Sequence, residues 1–101
     1  MLRLKFRPSV KTDLAEILEY YNEVSRSLPA AFLKQFNAAI TLLRERPNIG
    51  SRRFAHLFEH ISLRTWSLDR FPFRIFYEVN GETLRILHVA HERRDVTSEI
   101  L

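Results

Sequence analysis

At 101 residues, 46% hydrophobic and 28% charged, the chain has the size and composition of one globular domain with a modest core. It has no cysteine, which excludes a disulfide framework and a thiolate metal site; its start, MLRLKFRPSV, has no apolar run long enough for a signal peptide, and nothing approaches a membrane span. The net charge is +4 and uneven: residues 44–74 carry seven positive and three negative side chains, residues 11–27 two and four, and residues 75–101 three and five.

The basic surface therefore belongs to the middle of the chain, where an acidic partner or nucleic acid would be drawn. Arginine outnumbers lysine 13 to 3. Its planar fork suits carboxylates, phosphates and backbone carbonyls, although GC-rich coding produces the same bias. The lack of cysteine fits a reducing cytoplasm.

In chain order, Leu2, Leu4 and Phe6 alternate with Arg3, Lys5 and Arg7. Period 2 predicts a half-buried strand with a basic outer face, ended by Pro8 and Ser9. Ser9 or Thr12 is suited to cap a helix over about 10–26, with Asp13 and Glu16 near its positive end. Leu14, Ile17, Leu18, Tyr21 and Val24 form its apolar stripe, and Glu16, Glu19, Glu23 and Arg26 take the other side. Pro29 suits the opening turn of a second helix that runs to about Glu45, with the stripe Phe32, Phe36, Ala39, Ile40 and Leu43. Pro47 stops it by disfavouring helix at Arg46. The short link predicts an antiparallel helical hairpin.

Pro47-Asn48-Ile49-Gly50 reads as a loop, with Gly50 supplying a positive φ. Alternation at Ile61, Leu63 and Thr65 suggests the second strand, and Asp69-Arg70-Phe71-Pro72 turns the chain. Phe73, Ile75, Tyr77 and Val79 then share one face of a third strand. Leu84, Ile86, His88 and Ala90 share one face of a fourth, whose other face is also apolar enough for a central position. Asn80-Gly81 between these two runs is a strong hairpin signal, read as a type I′ turn. Residues 95–101 form one helical turn or an extended arm. The whole chain, 1–101, is thus a single α+β domain of order β-α-α-β-β-β, a helical hairpin on a small antiparallel sheet.

No glycine-rich phosphate loop, HExxH or nucleophile elbow is present. His56 and His60 are four apart, but in a stretch that reads as loop, so no metal or other cofactor is expected. His88, among Leu84 and Ile86, reads as a satisfied core histidine. The run His91-Glu92-Arg93-Arg94-Asp95 has two readings. One is a cationic cluster at a strand end with His91 as an acid or base. The other is local: Asp95 pairs with Arg93 or Arg94 and His91 caps the strand. Arg64 and Arg74 lie on neighbouring strands. If they converge with Arg93 or Arg94, the set can stabilise a phosphorane in RNA cleavage or grip a carboxylate. Arg52 and Arg53 read as a solvated loop, and Trp66 and Phe71 as sheet packing.

Several segments together resemble one family. They are Asp13-Leu14-Ala15-Glu16-Ile17 with Tyr20-Tyr21, Ala31-Phe32 with its spacing to Leu42-Leu43, Pro47-Asn48-Ile49-Gly50, Pro72-Phe73-Arg74-Ile75-Phe76-Tyr77, and His88-Val89-Ala90-His91 with Arg94-Asp95. In this order and spacing the chain is similar, over nearly its whole length, to the ParE branch of the RelE/ParE toxins of type II toxin–antitoxin pairs.

The resemblance implies the same fold, a cytoplasmic protein, no cofactor and no membrane partner. It also implies inhibition of DNA gyrase by protein–protein contact. A cognate antitoxin would neutralise the chain by folding a partly disordered segment around it, and would itself carry the contact with operator DNA. On that reading there are no catalytic residues, and Arg52, Arg53, Arg64, Arg74, Arg93 and Arg94 are partner-binding. The alternatives are a RelE-like, ribosome-dependent mRNA endoribonuclease using Arg64, Arg74, His91, Arg93 and Arg94, or a non-toxic antitoxin-binding relative. The segment after Asp95, Val-Thr-Ser-Glu-Ile-Leu, has none of the late Tyr, His, Lys or Arg groups that RelE-like chemistry uses.

Overall fold

Pro8 sets where the first helix begins. Its ring fixes φ near the helical value and it has no N–H to lose, so it fits the first helical turn. In the computed structural model, which describes residues 1–101, strand β1 (Arg3–Phe6) runs directly into helix α1 (Pro8–Val24). No side chain caps that helix, contrary to the expectation for Ser9 or Thr12, because the helix has already started before either. Ser9 Oγ instead donates to the carbonyl of Leu87 at 3.1 Å.

Helix α2 (Leu28–Glu45) carries Pro29 in its first turn and ends at Arg46, before Pro47. Its whole predicted stripe, Phe32, Phe36, Ala39, Ile40 and Leu43, is buried. On α1 the stripe buries Ile17 and half-buries Leu14, Leu18 and Tyr21, while Val24, its last residue, is exposed. Two short 3-10 turns (Pro47–Ile49 and Ala55–Leu57) lead to strands β2 (Arg64–Ser67), β3 (Phe73–Asn80) and β4 (Thr83–His91). β2 is shorter than the Ile61–Trp66 alternation suggested and starts three residues later.

The sheet order is β1-β4-β3-β2. β2, β3 and β4 are antiparallel, but β1 pairs with β4 in parallel, Leu4 opposite Leu84 and Phe6 opposite Ile86. The α+β order is as expected, whereas the sheet is mixed rather than wholly antiparallel. Tight turns force reversal between β3 and β4. The long connection through the helical hairpin imposes none, and parallel neighbours require such a connection.

The β3–β4 turn also differs from the expected type. Asn80 pairs with Thr83, so the two loop residues are Gly81 and Glu82. Only Gly81 has a positive φ, +61°. That is the φ pattern of a II′ turn, with glycine first, rather than a I′ turn centred on Asn80-Gly81.

Leu87 is the extra residue of a β-bulge: Phe76 pairs with His88, and Tyr77 with Ile86. The bulge breaks the alternation read from the sequence. Leu84, Ile86 and Val89 join the core beneath the helices, with Phe73, Ile75 and Tyr77. Leu87 and Ala90 join a second cluster behind the sheet with Leu63, Phe76 and Ile100. The loop around Phe54–Ile61 and the tail Val96–Leu101 cover that rear cluster. The tail is thus a turn folded onto the sheet, with Ile100 N–H bonded to the carbonyl of Thr97. Each large apolar side chain buried in these clusters contributes about 1.5–3 kcal/mol.

β1 reaches only Ile86. Beyond it, the start of α1 takes over as lateral neighbour of β4. Arg7 N–H bonds the carbonyl of Ile86 at 2.9 Å, Ser9 Oγ bonds that of Leu87, and Asp13 Oδ2 accepts Val89 N–H at 3.0 Å. Edge groups that a strand would have satisfied are met by a helix instead.

Candidate functional site

Gly50 does not have the positive φ expected of it; its φ is −66°. Glycine is needed there for room. A Cβ at this position would lie 2.2 Å from Tyr77 Oη. The Tyr77 hydroxyl accepts Gly50 N–H at 2.9 Å and donates to the carbonyl of Pro47 at 2.7 Å. Arg64 Nη1 adds bonds to the carbonyls of Asn48 (3.1 Å) and Gly50 (2.9 Å). Ser51 and Thr65 exchange both backbone bonds across the β2 edge. The Pro47–Ser51 loop is thus fixed to the sheet by a tyrosine, an arginine and one bridge. Burial pushes the Tyr77 phenol above its ordinary value, and the Gly50 N–H and the Arg64 charge pull the other way.

The loop leads into an aromatic–basic cluster. The guanidinium of Arg53, on the loop, and that of Arg74, on β3, lie 4.9 and 5.1 Å from the ring centre of Phe54. Beside them is an open hollow of about 430 Å³ that also includes Trp66, Ser67 and Asp69. Arg52 is exposed next to this cluster.

A second polar group closes the other side of the sheet. His88, buried, lies with Nδ1 2.6 Å from Asp13 Oδ2 and Nε2 3.2 Å from Arg94 Nη1. A guanidinium only donates, so Nε2 accepts, and the proton assigned to Nδ1 faces Asp13. This is the satisfied core histidine that the sequence suggested. His91 packs edge-on against Phe73, ring centres 5.2 Å apart, and its Nδ1 accepts Arg93 N–H at 3.0 Å. The Arg93 side chain is exposed. Asp95 does not pair with Arg93 or Arg94; the chain's close carboxylate pairs are the Arg85–Glu78 ion pair and the hydrogen-bonded His88–Asp13 pair.

The basic residues singled out in the sequence therefore divide into separate groups. Arg53 and Arg74 meet on Phe54, Arg64 is committed to the loop carbonyls, and Arg94 is committed to His88. Asp13, Phe54 and Tyr77 organise these groups and were not picked out from the sequence as site residues. Asp13 and Tyr77 left other traces there, Asp13 near the positive end of α1 and Tyr77 on the apolar face of β3.

The comparisons with known proteins agree with this architecture. The model of the family described as "ParE toxin of type II toxin-antitoxin system, parDE" matches residues 4–96. A solved chromosomal ParDE toxin–antitoxin system from P. aeruginosa contains a chain 26% identical to this one, with a TM-score of 0.67, covering 90% of this chain and 96% of its own. A search of the curated proteins brought no match. With a family match across nearly the whole chain and the helical hairpin, mixed sheet and latched loop in place, the chain belongs to the ParE toxin family of type II toxin–antitoxin systems.

Proposed function

We propose that this ParE-family chain inhibits DNA gyrase by protein–protein contact and is neutralised by a cognate antitoxin, with no active site of its own. The observation that carries the reading is the dispersal of the basic and titratable groups. His88 is closed between Asp13 and Arg94, His91 Nδ1 is taken by a backbone N–H, and Arg64 is spent on loop carbonyls. What remains to meet a partner is Arg52, Arg53 and Arg74 around Phe54, and the exposed Arg93 after β4. The antitoxin covers part of this surface and alone contacts operator DNA. The chain acts in the cytoplasm; no helix in it is long and apolar enough to cross a membrane.

Purified chain added to gyrase and relaxed plasmid tests the reading. Loss of supercoiling, or trapped gyrase–DNA cleavage complexes, is expected, and both are reversed by the antitoxin. Unchanged supercoiling at stoichiometric excess removes it. Ribosome-dependent mRNA cleavage lost on Arg74→Ala or His91→Ala, with folding retained, would replace it with the endoribonuclease alternative. Unchanged growth on expression without the antitoxin would leave only the non-toxic one.

A further inference from the structure

We infer that the hollow between the Pro47–Phe54 loop and β2 binds a pair of neighbouring carboxylates on an acidic segment of a protein partner, gripped by Arg53 and Arg74. The inference rests on the proposed reading of the basic surface as a protein-recognition surface and names its centre and its ligand chemistry.

Two guanidinium groups lie within 5.1 Å of one aromatic centre, so two like charges share one ring and are at most about 10 Å apart. Stacking on the ring offsets part of that repulsion and restrains two long side chains, while leaving their N–H forks free at the rim. The arginine side chains that hydrogen bond within the chain are Arg44, Arg64, Arg85 and Arg94. The forks of Arg53 and Arg74 are therefore unspent. A bidentate carboxylate is the side-chain group that matches such a fork.

The floor is rigid before any ligand arrives. Tyr77 and Arg64 fix the loop, and Ser51 closes the β2 edge at Thr65, so recognition here falls to side chains rather than to an added strand at that point. A preformed site loses less conformational freedom on binding.

Charge and stacking favour a peptide over a nucleic acid. Asp69 lines the same hollow and pairs with no basic side chain, so with Arg53 and Arg74 the hollow carries a net charge of only +1. A phosphodiester chain draws its affinity from many neutralised phosphates in a row. Base stacking needs an open aromatic face. Phe54 already carries two guanidinium groups, and Trp66 packs against the main core.

The test uses the full chain, fluorescence anisotropy, and a fluorescein-labelled twelve-residue peptide of repeated Ser-Glu-Glu-Ser. The controls are the same peptide with Gln for Glu and a twelve-nucleotide oligothymidylate, all at physiological salt. The acidic peptide should bind and the Gln peptide should not. Arg53→Gln combined with Arg74→Gln should weaken binding at least roughly tenfold, and Arg26→Gln combined with Arg46→Gln, which removes the same two charges at exposed positions outside the hollow, by less than about twofold. Circular dichroism checks the fold, and Arg53→Gln alone, at an exposed position, carries the same test with a smaller loss.

No binding of the acidic peptide, or an equal loss on Arg26→Gln combined with Arg46→Gln, overturns the inference. Oligothymidylate binding that depends on Arg53 and Arg74 overturns the choice of a protein partner. Arg53- and Arg74-dependent peptide binding without any effect on gyrase sustains the carboxylate site while removing the proposed target, so the two failures are distinguishable.

Discussion

Asp13 and His88, 75 positions apart in the sequence, meet at 2.6 Å across the edge of β4, and the same carboxylate oxygen accepts Val89 N–H at 3.0 Å. One side chain thereby satisfies a buried imidazole and a strand amide that β1 is too short to reach. It ties the first turns of α1 to the second half of β4.

Asp13→Ala should therefore cost more than a surface acid does. It leaves His88 Nδ1 and Val89 N–H without a partner in a half-buried place, a loss of about 2–4 kcal/mol. Asp13→Asn keeps an acceptor oxygen and should cost less. Urea denaturation followed by circular dichroism measures both; a loss below 0.5 kcal/mol on Asp13→Ala would show that the contact does not hold the helix to the strand.

The loop latch gives a paired prediction. Tyr77→Phe removes the acceptor for Gly50 N–H and the donor to Pro47, and should destabilise by about 1–3 kcal/mol. It should also speed amide exchange at Gly50. Gly50→Ala drives a methyl into the Tyr77 ring and should cost at least as much. Because the two changes act on one contact, the double variant should be less destabilised than the sum of the singles. Simple additivity would place the clash elsewhere.

Alkaline pH should weaken the fold. Desolvation raises the phenol of Tyr77, and likewise that of Tyr21, where the neighbouring Tyr20 adds to the shift. Both start from an ordinary value of 10.0. The folded chain therefore holds protons that the unfolded chain releases above that pH. Stability from these groups is complete below the unfolded value and is lost as pH rises through the folded ones. Denaturation midpoints taken through the alkaline range should fall, and Tyr77→Phe should make the fall shallower. An unchanged slope in that variant would remove Tyr77 as a source.

Arg70 is the non-glycine residue with a positive φ, +68°, in the turn that leads into β3. A side chain in this region is strained, and glycine is not. Arg70→Gly should raise stability by about 0.5–1 kcal/mol, after allowing for the greater freedom glycine gives the unfolded chain. Arg70→Ala keeps a Cβ and should bring no such gain. Thermal unfolding of the two variants side by side decides it.

What was legible in the sequence follows from how far each signal reaches. The stripe of α2 was readable residue by residue, because a helical period repeats locally and Pro29 and Pro47 mark its ends. The face assignments of β4 failed after Ile86, since a period-2 reading has no way to register the extra residue Leu87. Gly50 was recognisable as special but for the wrong reason: its neighbour in space, Tyr77, is 27 positions away. The basic residues were visible as a set, yet their division into separate groups depends on Phe54, Asp13 and the loop carbonyls. None of these partners lies next to its arginine in the sequence except Phe54 beside Arg53. The parallel placement of β1 was hidden as well, because its connection to β4 is too long to dictate direction.

That placement has a consequence for the birth of the protein. During synthesis β1 and α1 leave the ribosome before the strand that β1 pairs with and the edge that α1 covers. Until β4 emerges, Leu4 has no strand neighbour and Asp13 has no histidine. The sheet therefore closes only after Thr83–His91 is free of the exit tunnel, the slow, non-local assembly that such topology imposes. A nascent fragment that stops before Thr83 lacks the strand that joins β1 to β3, so the two halves of the sheet have nothing to meet on until β4 arrives.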